Sequence, residues 1–210
     1  MSSLWIESVK NYNNSFASLN KNINADVCII GGGITGVSTA YLLSKAGLKV
    51  CILEKDKIAH HTTGNTTAKI TSQHGLFYDY LINTFSQDFA KGYLDANQEA
   101  ISNIKNIIDT ENIDCDFEYQ DNYVYTNSEE EVQKIKHEVL AVNSLGFDAE
   151  IVDKCELPID ILSAIKFPNQ AQFNPLKYVH GLLKCITNNG GKIYEDSKVY
   201  DVKKSGTLII

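Results

Sequence analysis

Three glycines and one acid have the clearest chemical capacity in this chain. Gly31, Gly33 and Gly36 follow one another at G-x-G-x-x-G spacing, and Glu54 follows the first of them at about the distance, roughly 20 residues, that a dinucleotide site requires. At that spacing Gly31 permits a tight turn and Gly33 lets a pyrophosphate approach the backbone. Gly36 lets a helix pack closely on the preceding strand. Glu54 suits the two hydroxyls of an adenosine ribose. Helix N-terminal amides, with the helix dipole behind them, complete an anion site.

These residues need a strand, a helix and a second strand to hold them, and the sequence around them supplies all three. Residues 26–30 form a short apolar run of the kind a strand buried on both faces requires. A helix over about 34–46 carries Val37, Ala40, Tyr41 and Leu43 along one face, and Gly47 ends it. Residues 48–53 read as a second buried strand leading to Glu54. A glycine-rich turn in an unrelated α/β fold would explain the glycines alone, but not the strand, helix and acid around them.

The rest of the chain departs from simple alternation of strand and helix. Residues 1–25 are a polar, asparagine-rich extension with Trp5 and Phe16 as anchors. Residues 26–112 read as the first part of the nucleotide domain, 113–174 as an inserted α+β segment, and 175–210 as a return to the first domain. A polar loop over 55–75 is long enough to imply a functional role. Helices are expected over 77–84 and 87–111, the second with Phe89, Tyr93, Ala96, Ala100, Ile104 and Ile107 or Ile108 along its inner stripe. Residues 115–126 read as strand, and 129–145 as a helix facing inward through Val132, Ile135, Val139 and Val142. Short strands are expected at 149–152 and 164–167. Pro175 opens a further helix that Gly190 and Gly191 close. Strands are expected at 192–194, 198–202 and 207–210. The fold class is therefore α/β, a Rossmann-like domain with an insertion. The apolar end at Leu208, Ile209 and Ile210 reads as an unfinished sheet, so the chain is expected to be truncated or to need a second half.

Composition removes several classes of function. The 210 residues carry a net charge of −7 with 21% charged and 43% hydrophobic residues, which argues against nucleic acid as a partner. No run approaches the roughly 18 apolar residues of a membrane span, and the N-terminus lacks the apolar core of a signal peptide. A cytoplasmic location follows. Cys28, Cys51, Cys115, Cys155 and Cys185 are scattered, with no C-x-x-C pair, and read as reduced and structural. Cys28 and Cys51 are expected to be buried in the two strands as small hydrophobes.

No catalytic residue and no metal site stand out. His60 and His61 are adjacent and lack a completing carboxylate nearby, so a surface loop is the better reading. His74 lies nearer the end of the polar loop and reads either as a site group or as an ordinary side chain. Tyr78, Tyr80, Tyr123 and Tyr125 suit aromatic core packing better than a substrate pocket.

With these motifs in view, the chain resembles the FAD-dependent oxidoreductases of the D-amino-acid oxidase, glycine oxidase and sarcosine oxidase type. The stretch TTGNTTAKITSQHGLFYDYL, with the pair Leu4 and Trp5, is closer to bacterial members that carry a C-terminal Rieske domain. The resemblance implies that the backbone around Gly31, Gly33, Ile34, Thr35 and Gly36 holds the FAD pyrophosphate. It places Glu54 on the adenosine ribose with Lys55 beside it, and Thr62 and Thr63 near the phosphates and ribityl chain. Thr67, Ala68 and Lys69 would run along the isoalloxazine ring, and the backbone of Val199 would contact the adenine. Relatives often have small residues where Lys69 stands. Its cation would favour the reduced anionic flavin, or it simply points to solvent. The activity implied is oxidation of a C–N bond of an amine or amino acid by hydride transfer to the flavin. Oxygen or a Rieske cluster on a missing domain would take the electrons. No C-x-H and C-x-x-H pair occurs, so this chain holds no Rieske ligands. Two other readings stay open: an NAD-dependent dehydrogenase, because Glu54 suits either adenosine, and a non-enzymatic or complementing half of a split flavoenzyme.

Overall fold

Apolar runs on either side of a glycine turn build the first of two units. Val27–Ile30 (β1) and Val50–Leu53 (β2) pair in parallel, Val27 opposite Val50 and Ile30 opposite Leu53. The helix Ile34–Lys45 (α2) connects them, and Gly47 at φ +87° turns the chain out of it. A short N-terminal helix, Leu4–Ser8 (α1), precedes β1. The computed structural model describes residues 3–12, 15–156 and 158–204. Among these, the first unit comprises residues up to Thr67, Glu111–Cys115 and those from Asn174 onward; the second comprises Ala68–Thr110 and Asp116–Phe173. The expected first nucleotide segment, 26–112, thus contributes 26–67 and 111–112 to the first unit and 68–110 to the second.

Residues after Asn174 complete the parallel sheet. Asn174 accepts the amides of Leu176 and Lys177 at 3.2 and 3.1 Å and so caps Pro175–Asn188 (α6), with Pro175 in its first turn. Leu176, Val179, Leu182, Leu183 and Ile186 on this helix are buried, as are Val37, Ala40 and Tyr41 on α2, and the two helices pack together. Gly181 is required there, because a Cβ would lie 2.6 Å from Ile113 Cγ2. Lys192–Tyr194 (β7) then pairs in parallel with β2, giving the order β1-β2-β7.

The second unit is an antiparallel sheet backed by helices. Ser163–Gln172 (β6) is its centre and pairs with Lys69–Ile70 (β3), Glu118–Thr126 (β4) and Glu150–Val152 (β5). Tyr78–Thr84 (α3), Gln87–Glu111 (α4) and Glu129–Ser144 (α5) supply a core in which Tyr78 stacks on Phe167 with ring centroids 6.0 Å apart. Glu138 on α5 is buried, and its carboxylate accepts the amides of Phe77, Tyr78 and Asp79 at 2.6, 2.8 and 2.9 Å. It thereby caps α3, whose own N-cap Phe77 has no acceptor side chain.

Four sequence expectations need correction. β1 is not buried on both faces. Its burial alternates, Ile30 is 60% exposed, and Cys28 is exposed rather than buried. Among the described residues β1 has one strand neighbour, whereas β2, with one on each side, is buried together with Cys51. The inner stripe of α4 is only partly the expected one: Ile108 is buried and Tyr93 packs against the core as expected, but Ala90, Leu94 and Ile101 are buried while Ala96 and Ala100 are exposed, and Phe89 packs its exposed ring on Phe85 at 4.8 Å. β6 is also far longer than the strand expected at 164–167. Finally, residues 198–202 form no strand, and Tyr200 and Val202 stand in solvent without a sheet neighbour. The strand expected at 207–210 lies outside the described residues.

Candidate functional site

The glycine turn sits where β1 ends and α2 begins. Gly31 has φ +106°, a conformation that disfavours any Cβ, and its amide reaches the carbonyl of Leu53 at 2.9 Å. A Cβ on Gly36 would lie 2.1 Å from the Gly31 carbonyl oxygen, so only glycine lets α2 start this close to the strand. Gly33 is the N-cap of α2 and offers no side-chain acceptor. The Ile34 amide is met instead by Thr63 Oγ1 at 3.0 Å. Thr35 is exposed on the first turn.

Glu54 closes the site from β2. Its carboxylate is buried, with Oε2 accepting the Gly32 amide at 2.7 Å and Oε1 the Asp56 amide at 2.9 Å. Its backbone is fixed by Tyr194 and Ser197. The loop after Glu54 folds back over the glycines: the Ala59 amide donates to the Gly32 carbonyl at 3.0 Å, with Ala59 itself at φ +60°. A Cβ on Gly32 would meet Ile58 Cδ1 at 2.2 Å.

The result is a small cleft of about 130 Å³ lined by Gly33, Glu54, Lys57, Ala59, His61, Thr62 and Thr63. Lys57 is steered by Glu195 at 3.1 Å and Asp196 at 2.9 Å. His61 Nε2 lies 2.8 Å from Asp56 Oδ2, a contact that holds the Asp56 carboxyl below the usual carboxylate range. Three of these residues, Lys57, Ala59 and His61, were not legible as site residues. Nothing in their spacing marks them; His61 is exposed, as expected of a surface loop, but a carboxylate does stand beside it, contrary to expectation, in Asp56.

The other expected residues are not among those that line this cleft. Lys55 is exposed beside Asp56, 3.6 Å away, and Lys57 occupies the rim instead. Thr67 is exposed and is the last residue of this stretch in the first unit. Ala68, buried at φ +63°, and Lys69, exposed and in register with Gln172, belong to the second unit. Val199 is half-buried in the irregular segment after β7. His74 packs edge-on against Tyr93, 6.2 Å between centroids.

This arrangement fits the ADP half of a dinucleotide. The N-cap without a side chain leaves room at the helix terminus for phosphate oxygens, and a buried carboxylate stands at the end of the second strand, where ribose hydroxyls bind. The model of the FAD dependent oxidoreductase family matches residues 26–209, and the chain belongs to that family. Its cofactor class is therefore FAD, which sets aside the NAD reading.

Individual relatives narrow the comparison. A Bacillus subtilis (strain 168) protein named "Putative Rieske 2Fe-2S iron-sulfur protein YhfW" is 44% identical over 190 residues, which are 90% of this chain and 37% of that protein. The gamma-glutamylputrescine oxidoreductase of Escherichia coli (strain K12) is 27% identical over 200 residues, 93% of this chain and 47% of that enzyme. The crystal structure of glycine oxidase from Bacillus cereus ATCC 14579 superposes with a TM-score of 0.69 at 20% identity, covering 87% of this chain and 50% of that one. The chain thus spans half or less of the length of each protein. Among the described residues no helix is long and apolar enough to cross a membrane.

Proposed function

We propose that this chain holds the FAD of an oxidoreductase that oxidises a C–N bond of an amine or amino acid. The observation that carries the reading is the buried Glu54 carboxylate, fixed between the Gly32 and Asp56 amides beside the glycine N-cap of α2. FAD, when bound, supplies the two-electron chemistry by accepting a hydride. The chain's own residues bind and orient. Amides around Gly31, Gly33, Ile34, Thr35 and Gly36 take the pyrophosphate, Glu54 takes the ribose hydroxyls, and Thr62 and Thr63 lend hydroxyls nearby. Thr67, Ala68 and Lys69 line the ring-binding stretch, where the Lys69 cation favours a reduced, anionic ring. Lys55 and the Val199 backbone complete the adenosine side. The gamma-glutamylputrescine enzyme and glycine oxidase bear the names of nitrogen-containing substrates, which supports the C–N reading. The Bacillus subtilis relative supports a Rieske cluster as electron acceptor.

Gly33→Glu tests the binding site, because it puts a carboxylate where the pyrophosphate would approach. The variant is expected to fold and to lose flavin; a yellow variant at full occupancy would contradict the assignment. Anaerobic mixing of the holoprotein with a panel of amines, amino acids and 2-hydroxy acids tests the substrate class. Bleaching by amines or amino acids alone is expected, and bleaching by hydroxy acids alone would refute it.

A further inference from the structure

The N-terminal arm is gripped to the cofactor loop at two separate places, and no motif explains why. On α1, Ser3 Oγ donates to the Gly64 carbonyl, and Trp5 Nε1 donates to the Thr66 carbonyl at 2.8 Å. Ile6 lies against Gly64, where a Cβ would come 3.4 Å from its side chain and 2.6 Å from the Ala59 carbonyl oxygen. Further along the arm, the Phe16 amide donates to Glu195 Oε2 at 3.2 Å, while Oε1 of the same carboxylate accepts the Ile58 amide at 2.9 Å. Glu195 is buried. The arm is also anchored to the body of the unit, because Asn174 Nδ2 donates to Ser8 Oγ at 2.9 Å.

The loop that receives these contacts is strained. Ala59 holds φ +60°, a left-handed conformation that costs an alanine free energy and persists only where surrounding contacts over-determine it. Between it and Thr66 lie Thr62 and Thr63, which line the cleft. The two carbonyls taken by the arm, Gly64 and Thr66, immediately follow those hydroxyls.

We propose that α1 is a positioning element for FAD, with Trp5 as its principal positioning residue. By holding the 59–66 backbone before the cofactor arrives, the arm lowers the ordering cost that binding would otherwise carry. The inference rests on the FAD assignment proposed above.

Trp5→Phe tests it in the full chain, because an aromatic ring is kept while the Nε1 donor is lost. Trp5→Ala serves as a stronger variant, and Leu4→Ala, a 71% exposed neighbour on the same helix, as a control. Two readouts are taken: FAD affinity by titration of the apoprotein, and amide hydrogen exchange of residues 59–66 in the apoprotein. Trp5→Phe is expected to weaken FAD binding about five- to tenfold, the worth of roughly one net hydrogen bond. It should speed exchange in the loop and leave exchange in β2 and α6 unchanged. Leu4→Ala should match the unaltered protein in both. Affinity within twofold of the unaltered protein, or unchanged loop exchange, would overturn the proposal, as would uniform loosening of the whole unit. If the unaltered chain takes up no FAD, the cofactor assignment fails, and loop exchange alone still decides whether Trp5 positions the loop.

Discussion

Glu54 Oε2 lies 2.7 Å from the Gly32 amide, so the acid that ends the second strand is hydrogen-bonded into the glycine turn that ends the first. One carboxylate therefore organises the turn, and under the proposed function it also presents acceptors to a ribose. Glu54→Ala removes the acceptor for both the Gly32 and Asp56 amides. A loss of about 2–4 kcal/mol in unfolding free energy is expected, from two charge-assisted bonds in a buried setting. Glu54→Gln keeps one carbonyl oxygen and should lose less. Denaturant titrations of the two apoproteins measure the difference, and equal stabilities would remove the structural duty.

Gly36 is demanded by the fold, whereas Gly33 is not, and the proposed function makes Gly33 the one that admits the pyrophosphate. Gly36→Ala would press a Cβ to 2.1 Å from the Gly31 carbonyl and is expected to cost about 3 kcal/mol or more, or to prevent folding. Gly33→Ala meets only Thr63 Oγ1, at 3.3 Å. It should leave stability within about 1 kcal/mol while weakening FAD binding. Thermal unfolding paired with flavin titration distinguishes the two effects.

This division explains why the site was legible in sequence. A close helix–strand crossing and a tight turn are local steric demands, and Gly36 and Gly31 meet them at fixed spacing. Helix limits were legible for the same reason, since Gly47 and Pro175 act on their own neighbours. The exposed face of β1 was not, because the burial of Cys28 and Ile30, which share one face, depends on what packs over that face. Nor could the cleft's far wall be read. It forms because the loop reverses at Ala59, and alanine gives no sign of a left-handed φ. The stripe of α4 matches at Tyr93 and Ile108 but not at its start, where Phe89 packs on Phe85 at the surface and Ala90 is buried.

In the second unit, Glu138 should behave as a structural carboxylate. It is 1% exposed and holds three amides at the start of α3. Glu138→Ala is expected to lose about 3–5 kcal/mol, and Glu138→Gln distinctly less. A change below about 1 kcal/mol for the alanine variant, read by chemical denaturation, would contradict this capping role.

Acid should loosen the first unit through Glu111. Tyr41 donates to its carboxylate at 2.6 Å and Lys45 at 2.9 Å, and these bonds hold the Glu111 carboxyl below its usual range. A folded value below the unfolded one, about 4.3, gives stability that is fully present above that pH and is lost as pH falls through the folded value. Tyr41→Phe weakens the clamp. Its melting temperature should therefore fall less than that of the unaltered protein between about pH 5 and about pH 3; parallel curves would remove Glu111 from the acid response.

The visible absorption spectrum of the purified protein, with the cofactor identified after denaturation, bears most directly on the central claim. Flavin bands that yield FAD on release, or that develop when FAD is added to colourless protein, are the expected result. A colourless protein that takes up no added FAD would contradict the assignment of Gly31, Gly33, Gly36 and Glu54 to an FAD site.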